Sequence, residues 1–140
     1  MPRTRNISSL SLEGARLLAA AGEAEAVRRG WTAAIAVVDP DGGLILFLAI
    51  DGTQPASLDI AIAKARTAAR FRRPTKVMED GVAGGRHVLL SVPNALMLEG
   101  GVPVKLEGRI VGAIGVSGMT SAEDGVIAAA ALAAWDGARD

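Results

Sequence analysis

Apolar residues recur at helical spacing in three stretches of the chain, and these stretches predict three long helices. The stretches are 10–29, 57–72 and 121–137. Gly30 follows the first stretch and Pro74 follows the second, and both residue types commonly end helices. We therefore expect three helices that each bury one side.

Polar residues near the ends of these stretches supply the expected caps. Ser9 or Ser11 can cap the first helix, and Ser121 with Asp124 has the spacing of a capping box at the start of the last one.

The expected apolar stripe of the first helix is Leu10, Leu17, Leu18, Ala21 and Val27, and that of the second is Leu58, Ala61, Ile62, Ala65 and Ala69.

Shorter apolar runs predict strands at 31–38, 44–50, 95–98, 102–106 and 109–117. The turns between neighbouring runs are Asp39-Pro40-Asp41-Gly42-Gly43, Gly100-Gly101 and Glu107-Gly108, and such turns favour antiparallel hairpins. The stretch 75–93 predicts short helical turns and loop. Hairpins with helices beside them predict an α+β sheet sandwich, with 1–140 forming one domain.

Small side chains dominate the apolar half of the chain, since 27 of the 140 residues are Ala and 17 are Gly. Small side chains bury little area each, so a core made from them is thin. Lys plus Arg number 15 and Asp plus Glu number 15, and the resulting zero net charge does not oppose association. We therefore expect a homo-oligomer, a dimer or higher.

The same counts exclude several functional classes. The absence of Cys excludes disulfides, thiolate nucleophiles, iron–sulfur clusters and Cys-based zinc sites, and a single His excludes a multi-His metal centre within one subunit. Zero net charge and 3% aromatic residues argue against a nucleic-acid partner. No apolar run is long enough to span a membrane, and the first residues do not resemble a secretory signal. We expect no membrane partner and a cytoplasmic location.

His87 is the single histidine, and it follows Gly84-Gly85-Arg86 in a glycine-containing loop. An imidazole in such a loop can serve as an axial haem ligand or as a general base. It can equally be a surface histidine or a subunit contact, and the sequence leaves these alternatives open.

The second half of the second helix is basic, and Lys64 and Arg66 are candidates for binding a carboxylate or a phosphate. They are two residues apart and are expected to point to different faces of the helix. A solvated, dipole-compatible helix end is the structural alternative.

A glycine pattern, Gly112, Gly115 and Gly118, runs into the start of the last helix, and it is not the dinucleotide fingerprint. Exposed amides after Ser117-Gly118 can hold an anion. Alternatively, the glycines allow a helix to pack closely on the strand.

Glu99, at the start of the tight turn through Gly100-Gly101, can act as an acid or base if it faces a cleft, although such a residue is more often solvated. A capping role is sufficient to explain Asp124. The methionines at 78, 97 and 119 are possible soft axial ligands, but core filling is their commoner role.

Two blocks of motifs stand in order along nearly the whole chain. The first contains Val37-Val38-Asp39-x-x-Gly42, Asp51-Gly52, Ala63-Lys64-Ala65-Arg66-Thr67-Ala68, Phe71 and Pro74-Thr75. The second contains Gly100-Gly101-Val102-Pro103-Val104 and Glu107-Gly108-x-x-x-Gly112-Ala113-Ile114-Gly115-Val116-Ser117-Gly118, followed by Asp124. This ordered set resembles the GlcG/HbpS-like family, which also includes the C-terminal domain of PduO-type proteins.

The resemblance implies a profilin-like three-layer α/β/α fold with a five-stranded antiparallel sheet, and assembly into dimers and higher oligomers. It also implies haem binding, with haem degradation in some members, while other members stand beside catabolic genes. The chain departs from the family pattern before Asp51-Gly52, where a cation is missing, and in the last helix, where 128–131 replaces the family's Ala-Gly.

Two functions from different classes remain open at this point, beside a third alternative, a structural or regulatory binding module without turnover. The first is binding of haem or another tetrapyrrole, with His87 as the candidate iron ligand. Ligand carboxylates would then meet Lys64, Arg66 or Arg86 and the amides near Ser117-Gly118.

The second is a cofactor-independent lyase, isomerase or hydrolase that acts on a small carboxylic acid in a catabolic pathway. Lys64 or Arg66 would hold the carboxylate, and Glu99, Asp124 or His87 would move protons. The pocket would lie between subunits, where Gly100, Gly101 and Gly118 allow close approach.

Overall fold

Four α-helices, one 3-10 helix and four strands make up residues 1–138, the part of the chain that the computed structural model describes. In chain order they are α1 (Leu12–Arg29), β1 (Ala34–Val38), β2 (Leu44–Ala49), α2 (Ala56–Phe71), α3 (Thr75–Ala83), the 3-10 helix (His87–Ser91), β3 (Gly101–Leu106), β4 (Arg109–Ser117) and α4 (Ser121–Gly137).

The strands form one antiparallel sheet in the order β2-β1-β4-β3. All five residues of β1 are buried, whereas β2 and β3 are the edges. The predicted α+β class is confirmed, but the predicted five-stranded sheet is wrong, because residues 1–138 contain four strands.

The missing strand is the one predicted at 95–98. Its apolar residues cover α2 instead of pairing with another strand, and the backbone N–H of Leu96 donates to Thr67 Oγ1 at 2.9 Å. A short apolar run does not distinguish a strand from a segment that covers a helix. Here the hydroxyl oxygen of Thr67 accepts the backbone hydrogen bond that a neighbouring strand would otherwise accept.

Helices cover both faces of the sheet, and each face has its own apolar cluster. One cluster joins α1 and α4 to the sheet, with Leu18, Ile35, Ile114 and Ile127 among its fully buried members. The other joins α2 to the opposite face and consists largely of alanines. Gly115 makes this second contact possible, because a side chain there would overlap the backbone of Ala61 and Ala65.

The helix ends agree only in part with the sequence predictions. Ser11 caps α1, where its Oγ accepts the N–H of Gly14 at 3.1 Å. The capping box of α4 is formed by Thr120 and Glu123, so the predicted box of Ser121 with Asp124 is wrong by one residue. The physical reason is that Thr120 carries the extended backbone of a cap, while the carboxylate of Asp124 is bonded elsewhere.

The predicted stripe of α2 is confirmed, since Ala61, Ala65 and Ala69 are buried. The stripe of α1 needs a correction, because Val27 is 62% exposed and Ala26 takes its place in the core. Residues 1–138 contain no helix with both the length and the apolar character needed to cross a membrane.

Candidate functional site

A buried ion pair between α2 and α4 is the main charged feature of the interior. Lys64 is 1% exposed and Asp124 is 2% exposed, and the distance from Lys64 Nζ to Asp124 Oδ2 is 3.0 Å. Moving one charge into a protein interior costs several kcal/mol, so two buried charges persist only when they are paired and hydrogen-bonded. The surroundings of this pair therefore show what holds it.

Both partners have a second hydrogen bond to the backbone around the end of β4. Lys64 Nζ donates to the carbonyl of Val116 at 2.9 Å, and the N–H of Met119 donates to Asp124 Oδ1 at 2.9 Å. Burial raises the pKa of Asp124 above its ordinary value, although the Met119 N–H and the Lys64 ammonium both act to lower it. The pair thus ties α2, β4 and α4 together.

The helical periodicity of α2 explains why a lysine is buried here. Lys64 lies three residues after Ala61 and four before Ala68, on the face that covers the sheet. Arg66 is half-buried on another side of the helix, so the prediction that Lys64 and Arg66 point to different faces is confirmed.

The turn before β3 closes over the ammonium group of Lys64. A Cβ placed on Gly100 would be 2.9 Å from Lys64 Nζ and 2.6 Å from the carbonyl oxygen of Val116. Gly101 is fixed by Thr75, whose Oγ1 accepts the N–H of Gly101 at 2.9 Å. Glycine at both positions allows the turn to approach the ion pair.

Glu99 is half-exposed and lies beside the ion pair. Its carboxyl group packs against Gly125, the residue after Asp124, and its N–H donates to Glu79 Oε1 at 3.4 Å. The structure therefore brings Glu99, Lys64 and Asp124 together, with one carboxyl group at the surface and one inside.

Ser117 and Gly118 end β4 at the same place, and Ser117 is 5% exposed. The amides that follow them are already occupied by carboxylates of the chain itself. Asp124 accepts the N–H of Met119, and Glu123 Oε1 accepts the N–H of Thr120 at 3.2 Å. An external anion at these amides would have to displace one of these side chains.

His87 and Arg86 lie away from the ion pair, on the segment that follows α3. His87 begins the 3-10 helix and is exposed, as is Arg86. Residues three apart in a 3-10 helix share a face, so His87 and Leu90 are on the same side. Val88 is 65% exposed and Leu90 is 66% exposed, so the same short helix presents two apolar side chains at the surface.

The remaining sequence candidates divide by burial. Met78 is buried at 5% exposure, Met97 is half-buried and Met119 is 36% exposed. Arg66 donates from Nε to the carbonyl of Gly42 at 3.0 Å. No group of three or more His, Asp or Glu side chains suited to a metal ion occurs within residues 1–138.

Sequence reasoning missed two residues that shape these sites. Thr67 accepts the N–H of Leu96, and Thr75 accepts the N–H of Gly101 at the start of β3. Arg70, in the basic half of the second helix that the sequence indicated, lies on the same face of α2 as Arg66. The pairing of Lys64 with Asp124 was also missed, because the two are 60 residues apart. A lysine within an alanine stripe was the available signal, since a buried ammonium group requires a partner.

Comparison with known proteins adds a family match. Residues 10–133 match the model of the family described as "Haem degrading protein HbpS-like". The chain is 44% identical over 108 residues to Protein GlcG of Escherichia coli strain K12, which covers 77% of this chain and 81% of GlcG.

Two solved structures share the fold. The crystal structure of Klebsiella pneumoniae protein ORFY superposes with a TM-score of 0.93 at 27% identity and covers 99% of both chains. A double mutant of Streptomyces reticuli HbpS superposes with a TM-score of 0.86 at 34% identity, covering 93% of this chain and 89% of that one.

Proposed function

This chain belongs to the HbpS-like family, and from that premise we propose that it is a cytoplasmic small-molecule-binding protein whose ligand is haem or a related tetrapyrrole. The observation that carries the proposal is the exposed imidazole of His87, on a short helix that also exposes two apolar side chains. Lys64 and Asp124 are buried and paired with each other, whereas the His87 side chain is accessible to a ligand.

The residues around His87 fit the chemistry of a haem. A haem presents an iron that accepts an imidazole, an apolar face and two carboxylates. His87 would supply the imidazole, Val88 and Leu90 would cover part of the apolar face, and the guanidinium of Arg86 would meet a carboxylate. When bound, the group would supply a redox-active iron, while the protein residues bind and orient it.

The 3-10 helix that carries His87 is held in place by its neighbour. Leu89 packs against Gly81 of α3, where an added Cβ would be 2.9 Å from the Leu89 side chain. This contact turns Leu89 inward and leaves His87 and Leu90 on the outer side. The imidazole is therefore presented by a short element that α3 fixes.

Titration of the purified protein with hemin tests this proposal. We expect a saturable Soret shift at one hemin per chain, which His87→Ala abolishes and Arg86→Gln weakens. Arg73→Gln is the matched control, since Arg73 is an exposed arginine outside this surface. An unchanged shift in His87→Ala would show that the iron ligand is assigned wrongly.

A second candidate is a cofactor-independent lyase, isomerase or hydrolase acting on a small carboxylic acid. It is favoured by two carboxyl groups that lie close together, that of Glu99 at the surface and that of Asp124 in the interior. Burial raises the pKa of the Asp124 carboxyl group. A raised pKa brings a carboxyl group closer to the range useful for proton transfer. Incubation with a panel of small carboxylic acids, followed by NMR of the mixture, should show a product that Glu99→Gln removes and the surface control Glu23→Gln does not.

We also propose that the protein forms a homo-oligomer through the edge strand β2. All six residues of β2 are apolar, and within residues 1–138 the strand has a single partner, β1, whereas exposed edges usually carry charge or proline. Leu44 is 46% exposed on this edge. Leu44→Lys should lower the molar mass measured by light scattering, and Val27→Lys on α1 should not.

A further inference from the structure

The outer face of α2 carries two arginines whose guanidinium groups are fixed by the turn between β1 and β2. Arg66 Nε donates to the carbonyl of Gly42 at 3.0 Å, and Arg70 Nε donates to the carbonyl of Asp41 at 2.9 Å. The turn itself is ordered by Asp39, whose Oδ1 accepts the N–H of Asp41 at 2.8 Å. Both arginines are therefore held through one nitrogen each.

Glycine at position 42 is required for this arrangement. Its φ is +93°, and a Cβ there would be 2.7 Å from Arg70 Nε. The terminal nitrogens of Arg66 and Arg70 make no hydrogen bond or ion pair with any residue of 1–138. An arginine has five N–H donors, so most donors of both groups remain for a ligand.

Arg66 and Arg70 also line a cavity of about 500 Å³ between α2 and the 94–96 segment. Its volume lies in the range of small-molecule sites, about 300–1,000 Å³. Ile62, Ala63, Ala95 and Leu96 give it apolar walls. The far wall is fixed by the hydrogen bond from Leu96 to Thr67 that replaces the predicted strand.

Charge is distributed unevenly along this cavity. Asp59 lines it seven residues before Arg66, which is about 10 Å along the helix axis. The carboxylate of Asp59 repels a ligand's negative charge at one end of the cavity. Arg66 and Arg70 attract a negative charge at the other end. The cavity thus suits a ligand with one anionic end and one apolar end.

We propose that this cavity binds a small organic monocarboxylate, with the carboxylate against Arg66 and Arg70 and the apolar body against Ile62 and Leu96. A planar guanidinium matches a carboxylate in a two-point hydrogen bond. Because the turn already fixes both side chains, little side-chain entropy is lost when the ligand binds. The site uses neither His87 nor Arg86 and goes beyond the haem proposal.

Hexanoate is the probe for this site, and NMR titration of the backbone amides is the measurement. Hexanoate should shift the amides of Ile62, Arg66 and Leu96 in a saturable way at 0.15 M salt. Hexan-1-ol, which has the same apolar body without the charge, should bind at least about tenfold more weakly, as expected for the loss of charged hydrogen bonds.

Three variants separate the site from general surface effects. Arg66→Gln/Arg70→Gln should weaken hexanoate binding at least about tenfold by the same argument. Ala63→Leu fills the apolar wall while keeping both arginines, and it should abolish the saturable shifts even if the double variant folds poorly. Arg73→Gln is the control, because Arg73 Nε also donates to a backbone carbonyl, that of Phe71, but lies outside the cavity.

The proposal is overturned by any of four results. Three of them are the absence of saturable shifts with hexanoate, equal affinity for hexan-1-ol, and an equal loss of affinity in Arg73→Gln and in the double arginine variant. The fourth is retention of binding in Ala63→Leu, which would place the apolar body of the ligand outside this cavity.

Discussion

Removal of one partner of the Lys64–Asp124 pair should destabilise the protein strongly. Lys64→Met removes the ammonium group and leaves the Asp124 carboxylate buried, with the Met119 N–H as its remaining donor. Breaking a buried pair in this way costs about 3–5 kcal/mol. Because the free energy of unfolding of small proteins is about 5–15 kcal/mol, this change would remove a large share of the stability.

Removal of both charges should cost less than removal of either one. In Lys64→Met/Asp124→Leu neither charge of the pair is left buried. The remaining losses are the acceptor of the Met119 N–H and the Lys64 donor to the Val116 carbonyl, about 1 kcal/mol each. Urea unfolding measures the free energy of unfolding of Lys64→Met, of Asp124→Leu and of the double variant. With an m-value of about 2 kcal/mol/M, each single variant should move the midpoint by about 2 M and the double variant by about 1 M.

The matched control is Lys76→Met. Lys76 pairs with Asp80 on α3, but both side chains are more than half exposed, so this change should leave the urea midpoint nearly unchanged. A double variant destabilised by the sum of its two single variants would refute the reasoning, because the two charges would then act independently.

Three further predictions rest on single contacts. The pKa of Asp124, followed by carboxyl NMR, should lie above 3.8, and Lys64→Met should raise it further because the ammonium group acts to lower it; an unchanged value would contradict the pairing. Gly115→Ala should destabilise the protein by about 1–3 kcal/mol in urea unfolding, since the new methyl group overlaps the backbone of α2, and wild-type stability would contradict the close approach. Thr120→Ala should cost about 1 kcal/mol in thermal unfolding while Ser121→Ala costs little, and the reverse order would restore the predicted cap.

Much of the fold follows from local patterns in the sequence. The alanine stripe of α2 has strong helical periodicity, and this helix formed within one residue of the prediction. The apolar run predicted as a strand at 31–38 formed β1, but the strand begins three residues later, at Ala34. The run 95–98 did not form a strand, because Thr67, a distant side chain, satisfies its backbone. That the chain forms one domain stays a prediction.

The candidate site was predictable by residue type but not by arrangement. Lys64 and Asp124 were both singled out, yet a capping role was expected to explain Asp124, whereas its carboxylate pairs with Lys64. Arg70 belongs to the basic half of the second helix that the sequence indicated, but its contact with the turn between β1 and β2 was not predictable. Such pairings are set by tertiary contacts, which one sequence does not display.

The most direct test of the proposed function is the crystal structure of the protein grown with hemin. We predict a macrocycle over Val88 and Leu90, an imidazole nitrogen of His87 on the iron and a propionate near Arg86. A macrocycle bound without His87, or its absence from crystals grown at saturating hemin, would contradict the proposal.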